Sequence, residues 1–238
     1  MPSLTASPEC FTCVHMNAQS VPAHIETIRS LMRDLDPHVV LISESWLKSS
    51  HSDSDFHVPG YVIVRHDRVE MRAGGVAMYI RTDLTHNIIA RSSTASRDNK
   101  TVEFLAVEMI VNCTALLLYV VYKPPDVHSL TELYNSLAIV TPQYEHVILM
   151  GDFNTNLLVR SARSKRLVDN MKSYHLTVLP SGPTHHGENH ESSLLDLAIV
   201  SKTDRVLHYE QRPAPGISRH YLLSLTYSFE EINTPMCH

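Results

Sequence analysis

Short runs of apolar residues, separated by polar turns, recur along the whole chain. Val, Ile, Leu and Tyr dominate these runs, which is typical of pleated, half-buried strands. We predict nine strands, at residues 11–17, 39–43, 61–65, 75–81, 102–110, 114–121, 147–150, 194–200 and 222–227. Many strands in one uninterrupted chain predict a packed β-sheet core.

Apolar residues spaced by three and four predict fewer helices. The clearest pattern runs from Ile25 to Leu35, with Ser20 as its N-cap and Pro22 in the first turn. Residues 130–140 and 161–174 carry weaker helical patterns. No repeat or long linker divides the sequence, so we predict a single α/β domain over residues 1–238, with two packed sheets flanked by helices.

Composition narrows the function classes only slightly. The chain has 238 residues, 43% of them hydrophobic and 19% charged, as in an ordinary globular protein. No apolar run approaches the ~20 residues that span a bilayer, and the first residues lack a secretory signal pattern. The formal charge is −5, so a surface that grips nucleic-acid phosphates would have to be local.

The stretch "VILMGDFNTN", residues 147–156, is unusual for a core strand. Four apolar residues lead through a glycine into Asp152 and Asn154, which alternate across Phe153. Residues two apart on extended backbone point to the same side. The pattern therefore predicts a carboxylate and a carboxamide together at a strand end, with Phe153 packed inward.

Other predicted strands also end in, or begin with, a polar residue. These residues are Asn17, Glu44, Tyr122, Asp196 and His220. Each has an ordinary structural explanation taken alone; a single histidine, for example, is more often structural than catalytic. Together they form a set suited to the attack of water on a phosphodiester. An acid such as Glu44 can hold a hard divalent cation. A second acid, such as Asp152, can orient and deprotonate the water.

Seven motifs in register resemble the endonuclease/exonuclease/phosphatase superfamily. They are "HMNAQS", "LISESWL", "RAGGVAMYI", "YKPP", "GDFNTN", "SLLDLAIV" and "SRHYLLSL". The sequence is most similar to the apurinic/apyrimidinic-like endonuclease domain of a jockey-like non-LTR retrotransposon, over residues of about 11–227. The resemblance implies a four-layer α/β sandwich of two mixed β-sheets flanked by helices, a nuclear location, double-stranded DNA as partner, and the remainder of a reverse-transcriptase polyprotein. In such elements the nick leaves a 3′ hydroxyl that primes reverse transcription.

The resemblance also implies roles for individual residues. Glu44 would be a ligand of Mg²⁺ or Mn²⁺, with Asn17 beside the metal and the scissile phosphate. Asp152 would position the water, Asn154 would hold a phosphate oxygen, and Tyr122 would stabilise the transition state. His220 would bond to the phosphate while Asp196 orients its ring. Thr184 and Ser193 would line the DNA-binding face.

One position departs from the superfamily pattern. Ser218-Arg219-His220 replaces Ser-Asp-His, which exchanges a carboxylate that helps to hold the cation for a guanidinium. Two outcomes are reasonable. Arg219 points to solvent or a DNA phosphate and leaves a weakened metal site, or it pairs with Glu44 and takes the place of the cation. We expect the first, with reduced activity, because the other catalytic positions are filled.

Basic residues outside the motifs are further candidates for DNA contact. The densest group is "VRSARSKR", residues 159–166, which contains Arg160 and Arg163. Such runs are commonly solvated helix faces, but this one directly follows the "GDFNTN" loop. Arg65, Arg68 and Arg72 are weaker candidates. Two other functions remain open: a catalytically impaired nucleic-acid-binding or interaction module on the same fold, and a phosphatase of small phosphoesters.

Overall fold

The computed structural model describes residues 10–69, 73–95, 100–187 and 192–230. Two six-stranded sheets lie face to face in it, and a two-stranded hairpin lies at one end. The strands are β1 Phe11–Asn17, β2 Val39–Ser43, β3 Tyr61–His66, β4 Val76–Arg81, β5 Thr85–Arg91, β6 Glu103–Val111, β7 Thr114–Tyr122, β8 His146–Asp152, β9 Thr177–Val178, β10 His185–His186, β11 Ser192–Ser193, β12 Asp196–Val200, β13 Val206–Pro213 and β14 Tyr221–Tyr227. The helices are α1 Val21–Leu35, α2 Thr131–Val140 and α3 Ala162–Ser173, and the 3₁₀ turns are Asp53–Phe56, Thr141–Gln143 and Thr203–Arg205.

Both sheets are mixed, as predicted. The first has the order β13-β14-β1-β2-β4-β3 and the second the order β5-β6-β7-β8-β12-β9. Each contains one parallel pair, β1 with β2 and β7 with β8, among antiparallel neighbours. The chain crosses over through α1 in the first pair and through α2 in the second. Since parallel neighbours end at the same edge, the carboxyl ends of these four strands can supply one site.

Three apolar clusters hold the layers together. The central cluster joins the facing sides of the sheets, with Leu41, Met78 and Leu118 fully buried in it. One outer cluster seats α1 on the first sheet through Ile28 and Met32. The other seats α2 and α3 on the second sheet. These four layers confirm the predicted α/β sandwich flanked by helices.

The predicted helix around Ile25–Leu35 is confirmed, together with its start signal. The Ser20 hydroxyl accepts a hydrogen bond from the Ala23 amide at 3.2 Å, and Pro22 lies in the first turn. The cap satisfies an amide that has no partner within the helix. Asp36 ends the helix in a left-handed conformation.

The sequence patterns missed two long strands and began another strand two residues too early. The missed strands, β5 and β13, are sheet edges and are largely exposed, so they carry no strong apolar pattern. The predicted strand at residues 194–200 begins two residues later than expected, as β12 Asp196–Val200. Leu194 and Leu195 instead connect the β11 strand of the hairpin to β12.

Candidate active site

The "VILMGDFNTN" stretch forms β8 and the loop after it. Gly151 lies so close to β7 that a Cβ atom here would overlap the Val121 carbonyl oxygen, which only glycine avoids. Phe153 is fully buried, as predicted. Asn154, however, is left-handed with φ of 40° rather than extended. An Asx turn, in which the Asp152 Oδ1 atom accepts from the Asn154 amide at 2.8 Å, still brings the two side chains together.

Asp152 is the hub of a hydrogen-bonded group of side chains. Its Oδ2 atom accepts from the Asn17 Nδ2 atom at 2.9 Å and from the Asn154 Nδ2 atom at 3.2 Å. The same Asn17 Nδ2 atom donates to the Glu44 Oε1 atom at 2.9 Å. A single amide therefore lies between the carboxylates of Glu44 and Asp152, which come from different sheets.

An acid–histidine pair adjoins this group. The His220 Nδ1 atom lies 2.8 Å from the Asp196 Oδ2 atom. In the antiparallel register of β8 and β12, Asp196 is directly opposite Asp152. Polar atoms of Asp152, Asp196 and His220 all lie within 4.8 Å of one another. The predicted residues of five distant segments thus converge at one edge of the sandwich.

Burial and mutual charge perturb these groups. Burial raises the pKa of Asp152 to about 7, and the neighbouring carboxylate of Asp196 contributes, while His220 opposes the shift. Burial lowers the pKa of His220, but Asp196 and Asp152 outweigh it and bring the pKa to about 9. The site therefore combines an acid that titrates near neutrality with an imidazole that favours its charged form.

Tyr122 ends β7 directly beside Asp152 in the parallel register. It is 4% exposed, and burial raises its pKa above the ordinary value, with Glu44 and Asp152 adding to the shift. The phenol therefore stays protonated. The guanidinium of Arg68 lies 5.7 Å from the centre of the Tyr122 ring.

Arg68 and Arg65 form ion pairs instead of lining a DNA groove. The Arg68 Nε atom donates to the Glu103 Oε1 atom at 2.7 Å, and the two side chains are 8% and 2% exposed. Arg65 pairs with Asp53 and Asp67. These placements correct the prediction for both arginines; Arg72 lies outside the described residues. Glycine is favoured at residue 74, because its φ of 99° is rarely adopted by other residues and a Cβ atom there would also overlap the Arg68 guanidinium.

We expect Arg68→Met to lower the free energy of unfolding by about 3–5 kcal/mol, because it leaves the buried carboxylate of Glu103 without its partner. Urea unfolding followed by circular dichroism measures this. The control is the double variant Arg68→Met/Glu103→Leu, which removes both charges and should recover most of the loss. Equal destabilisation by the single and double variants would show that packing, rather than the unpaired charge, sets the cost.

Thr184 and Ser193 lie near His220 but differ in exposure. Thr184 is fully buried, and its hydroxyl accepts from the amides of Leu195 and Asp196 at 3.1 and 3.0 Å. This burial corrects the assignment of Thr184 to the DNA-binding face. Its hydroxyl instead holds the backbone of Asp196. Ser193 is half-buried in the β10–β11 hairpin, whose His185 ring lies 4.7 Å from the His220 ring.

The remaining predicted DNA contacts are exposed. Arg160 precedes α3, Arg163 lies in its first turn, and Arg219 lies beside His220. The Arg163 Nη2 atom is 3.0 Å from the His128 Nδ1 atom. The Glu44 Oε2 atom accepts from the Trp46 Nε1 atom at 3.1 Å.

His15 is the first residue of the "HMNAQS" motif, but the resemblance implied no role for it in the site. It is fully buried two residues before Asn17. Its Nε2 atom lies 2.7 Å from the Ser43 hydroxyl, and its Nδ1 atom lies 4.0 Å from the Asp196 Oδ1 atom. Burial lowers its pKa to about 4, so it is neutral at pH 7. The alternation that puts residues 15 and 17 on one strand face was the available signal.

The fold and the site define a class of protein: two-sheet sandwiches that gather acid, amide and histidine side chains at one end. The chain belongs to the Endonuclease/Exonuclease/phosphatase family, whose sequence profile matches residues 14–220. This confirms the superfamily predicted from the motifs. A search of curated protein sequences found no match.

Solved structures support the same fold. The endonuclease domain of TRAS1, a telomere-specific non-LTR retrotransposon, has a TM-score of 0.71 at 14% identity, over 92% of this chain and 99% of that one. The AP endonuclease LMAP from Leishmania major has a TM-score of 0.67 at 12% identity, over 93% and 88%. A variant of the 3′ phosphatase NExo from Neisseria, bound to a product DNA hairpin, has a TM-score of 0.65 at 14% identity, over 92% and 100%.

Proposed function

We propose that this protein is a divalent-metal-dependent endonuclease that nicks double-stranded DNA and leaves a 3′ hydroxyl. The observation that carries the proposal is the convergence of Asp152, Asn154, Asn17 and the Asp196–His220 pair at one edge of the sandwich. For cleavage of a phosphodiester, Asp152 supplies a proton acceptor, the asparagines supply hydrogen-bond donors, and the charged ring of His220 supplies a positive charge.

The carboxylate oxygens of Glu44 fit a hard divalent cation such as Mg²⁺ or Mn²⁺. Asn17 would lie beside that cation and orient the carboxylate, because its Nδ2 atom donates to the Glu44 Oε1 atom while its Oδ1 atom accepts from the Gln19 amide at 3.2 Å. Glu44 is half-buried and meets Asp152 through one amide, so the two carboxylates concentrate negative charge there. The cluster of Asp152, Asp196 and His220 fits less well, because the Asp196 and His220 side chains are already hydrogen-bonded to each other. When bound, the cation would stabilise charge on the phosphate and the leaving oxygen.

Asp152 would orient the attacking water and take its proton as the new oxygen–phosphorus bond forms. A carboxyl whose pKa lies near 7 is well matched to this role at neutral pH. The bond from phosphorus to the 3′ oxygen then breaks, and the leaving oxygen takes up a proton.

His220, Asn154 and Tyr122 would stabilise the charge that develops on the phosphate oxygens. The Nδ1 atom of His220 is engaged by Asp196, so its Nε2 atom is the donor left for substrate. The Asn154 Nδ2 atom donates to the Lys123 carbonyl oxygen at 2.9 Å and to the Asp152 Oδ2 atom at 3.2 Å, so it would exchange one of these bonds to donate to a phosphate without adding charge. The His220 ring is held by Asp196 before the reaction, and a donor fixed in this way lowers the barrier without reorganising.

Two kinds of observation support DNA as the substrate: similar solved structures and exposed basic residues. The solved structures with this fold include a retrotransposon endonuclease domain and a phosphatase bound to a DNA hairpin. Arg160, Arg163 and Arg219 are exposed, and Arg219 directly precedes His220; the hairpin with Ser193 borders His220. We extend the proposal to a nuclear protein that acts within a retrotransposon polyprotein.

No helix among the described residues is both long and apolar enough to cross a membrane.

The alternative is a catalytically impaired module that binds nucleic acid, and Arg219 is the observation that favours it. Arg219 stands where the family pattern has an acid, so the cation has fewer ligands. The Glu44 carboxylate accepts hydrogen bonds from the Asn17 and Trp46 side chains, which orient it as an oxygen ligand for a cation, and this favours the endonuclease with reduced activity.

Nicking of supercoiled plasmid separates the two functions. We expect open-circular DNA to accumulate with Mg²⁺ or Mn²⁺ and not with EDTA, and we expect ligase to reseal the product because it carries a 3′ hydroxyl and a 5′ phosphate. A protein that binds the plasmid but leaves it supercoiled with either metal, even at high enzyme concentration, would contradict the endonuclease and support the binding module.

A further inference from the structure

A cavity of about 450 Å³ lies between α2, α3 and the loop that follows β7. Its volume is within the range of pockets that bind small ligands. Its polar lining includes Lys123, His128, Arg163 and Arg166, together with Tyr134 and Asn170. None of the described residues that line it is an aspartate or a glutamate. In a chain with a formal charge of −5, this concentration of basic groups is a local exception.

Lys123 is the most unusual member of the lining. It is 1% exposed, although lysines are almost never fully buried unless they are paired. Its Nζ atom donates to the carbonyl oxygens of Val127 and Pro124 at 2.9 and 3.3 Å, and no ion pair of the described residues includes it. An ammonium has three N–H donors, so one remains for a ligand. Burial lowers the Lys123 pKa, and the charge of Arg163 lowers it further.

The two arginines of the cavity lie one turn apart on α3. Arg163 contacts the His128 ring, and Arg166 is exposed and forms no ion pair with a described residue. The Arg166 guanidinium is thus a second group in the cavity that can bind an anion, in addition to the buried Lys123 ammonium. An anion placed between them would relieve the crowding of positive charge that lowers the Lys123 pKa.

The cavity shares a wall with the candidate active site. The amide of Lys123 donates to the Asp152 carbonyl oxygen at 2.8 Å, and the Lys123 carbonyl oxygen accepts from the Asn154 side chain. Thr155, the next residue after Asn154, also lines the cavity. A group bound here would therefore lie beside the phosphate that is cleaved.

We propose that this cavity binds one nucleotide of the substrate strand adjacent to the scissile phosphate, with its backbone phosphate between Lys123 and Arg166. The volume leaves room for the sugar and base as well, and the Tyr134 ring offers a stacking surface. The inference rests on the proposed function insofar as DNA is the substrate. It assigns a binding role to Lys123 and Arg166, which the catalytic group does not include.

The test measures DNA binding without cleavage. Fluorescence anisotropy of a labelled duplex of about 20 base pairs is followed in EDTA at salt concentrations from roughly 50 to 200 mM. We expect Arg166→Gln to weaken binding several-fold at low salt and to reduce the slope of log K against log salt by about 1, the change for one lost phosphate contact. Lys123→Gln should act in the same direction, with its melting temperature checked.

Lys172→Gln is the matched control, because Lys172 is also exposed on α3 but does not line the cavity. Its salt slope should stay unchanged. An equal change in the Arg166 and Lys172 variants would reduce the effect to general surface charge and overturn the inference, as would no change in either. Tight competition by inorganic phosphate or deoxyadenosine monophosphate, with DNA binding unaffected by Arg166→Gln, would mean a site for free small anions and would also overturn it.

Failures of the two proposals can be told apart. If the protein nicks plasmid but Arg166→Gln leaves the salt slope unchanged, only the nucleotide cavity is wrong. If the protein does not nick, yet the slope falls in this variant alone, the cavity stands and the endonuclease is wrong.

Discussion

Asp152→Asn is expected to lower the rate of plasmid nicking by about 10²–10⁴-fold, the usual contribution of a positioned general base. The asparagine is nearly isosteric and keeps the oxygen that accepts from the Asn154 amide. It cannot take a proton from water, and it removes one of the two carboxylates that meet at Asn17. Chemistry should therefore fail while the fold persists.

Single-turnover nicking and anisotropy in EDTA together measure this prediction. Binding of the Asp152→Asn variant in EDTA should equal or exceed that of the parent, since a negative charge beside the phosphate is gone. Asp34→Asn, the same chemical change at an exposed position of α1, is the control and should cleave normally. Near-normal nicking by the Asp152 variant would exclude Asp152 as the base.

Arg219→Asp is expected to increase nicking and to lower the Mg²⁺ or Mn²⁺ concentration for half-maximal activity by about tenfold or more. The substitution restores the carboxylate of the family pattern beside His220 and changes the local charge by two units. A tenfold gain in cation affinity corresponds to only about 1.4 kcal/mol, which a nearby charge readily supplies. Metal titrations of the nicking rate measure the shift.

Arg219→Gln separates the two parts of this effect. It removes the guanidinium without adding a ligand, so it should improve the metal requirement less than the aspartate does. Equal gains in both variants would show that repulsion by Arg219, and not a missing ligand, weakens the site. If parent and Arg219→Asp are both inert at high enzyme concentration, the binding module becomes the better interpretation.

The sequence predicted the central strands and the residues at their ends well. In "GDFNTN", a buried strand followed by alternating polar residues identified Asp152, and Phe153 is buried as predicted. The apolar pattern predicted no strand at β5 or β13, because both are largely exposed sheet edges with weak patterns. The alternating pattern placed Asn154 on extended backbone, whereas the hydrogen bond from its amide to the Asp152 side chain stabilises a left-handed turn.

The basic and hydroxyl residues were harder to assign from sequence. Arg68 and Thr184 were assigned to a DNA surface, yet one is paired with Glu103 and the other is buried behind Asp196. Lys123 belonged to a motif but had no role until its burial was known. A charged or hydroxyl side chain looks the same in the sequence whether it is exposed to solvent or paired with another group of the protein. Only the position of that group in the folded structure distinguishes the two cases.

By itself the sequence determined the layers of this protein and which chemical groups stand at its strand ends, because burial on a pleated or helical surface leaves a periodic signal in the chain. Only the tertiary structure decided which of those groups meet. The hydrogen bond from Asn17 to Asp152 joins residues 135 positions apart, and the one between His220 and Asp196 spans 24. Such contacts depend on how two sheets pack, and local periodicity carries no record of that packing.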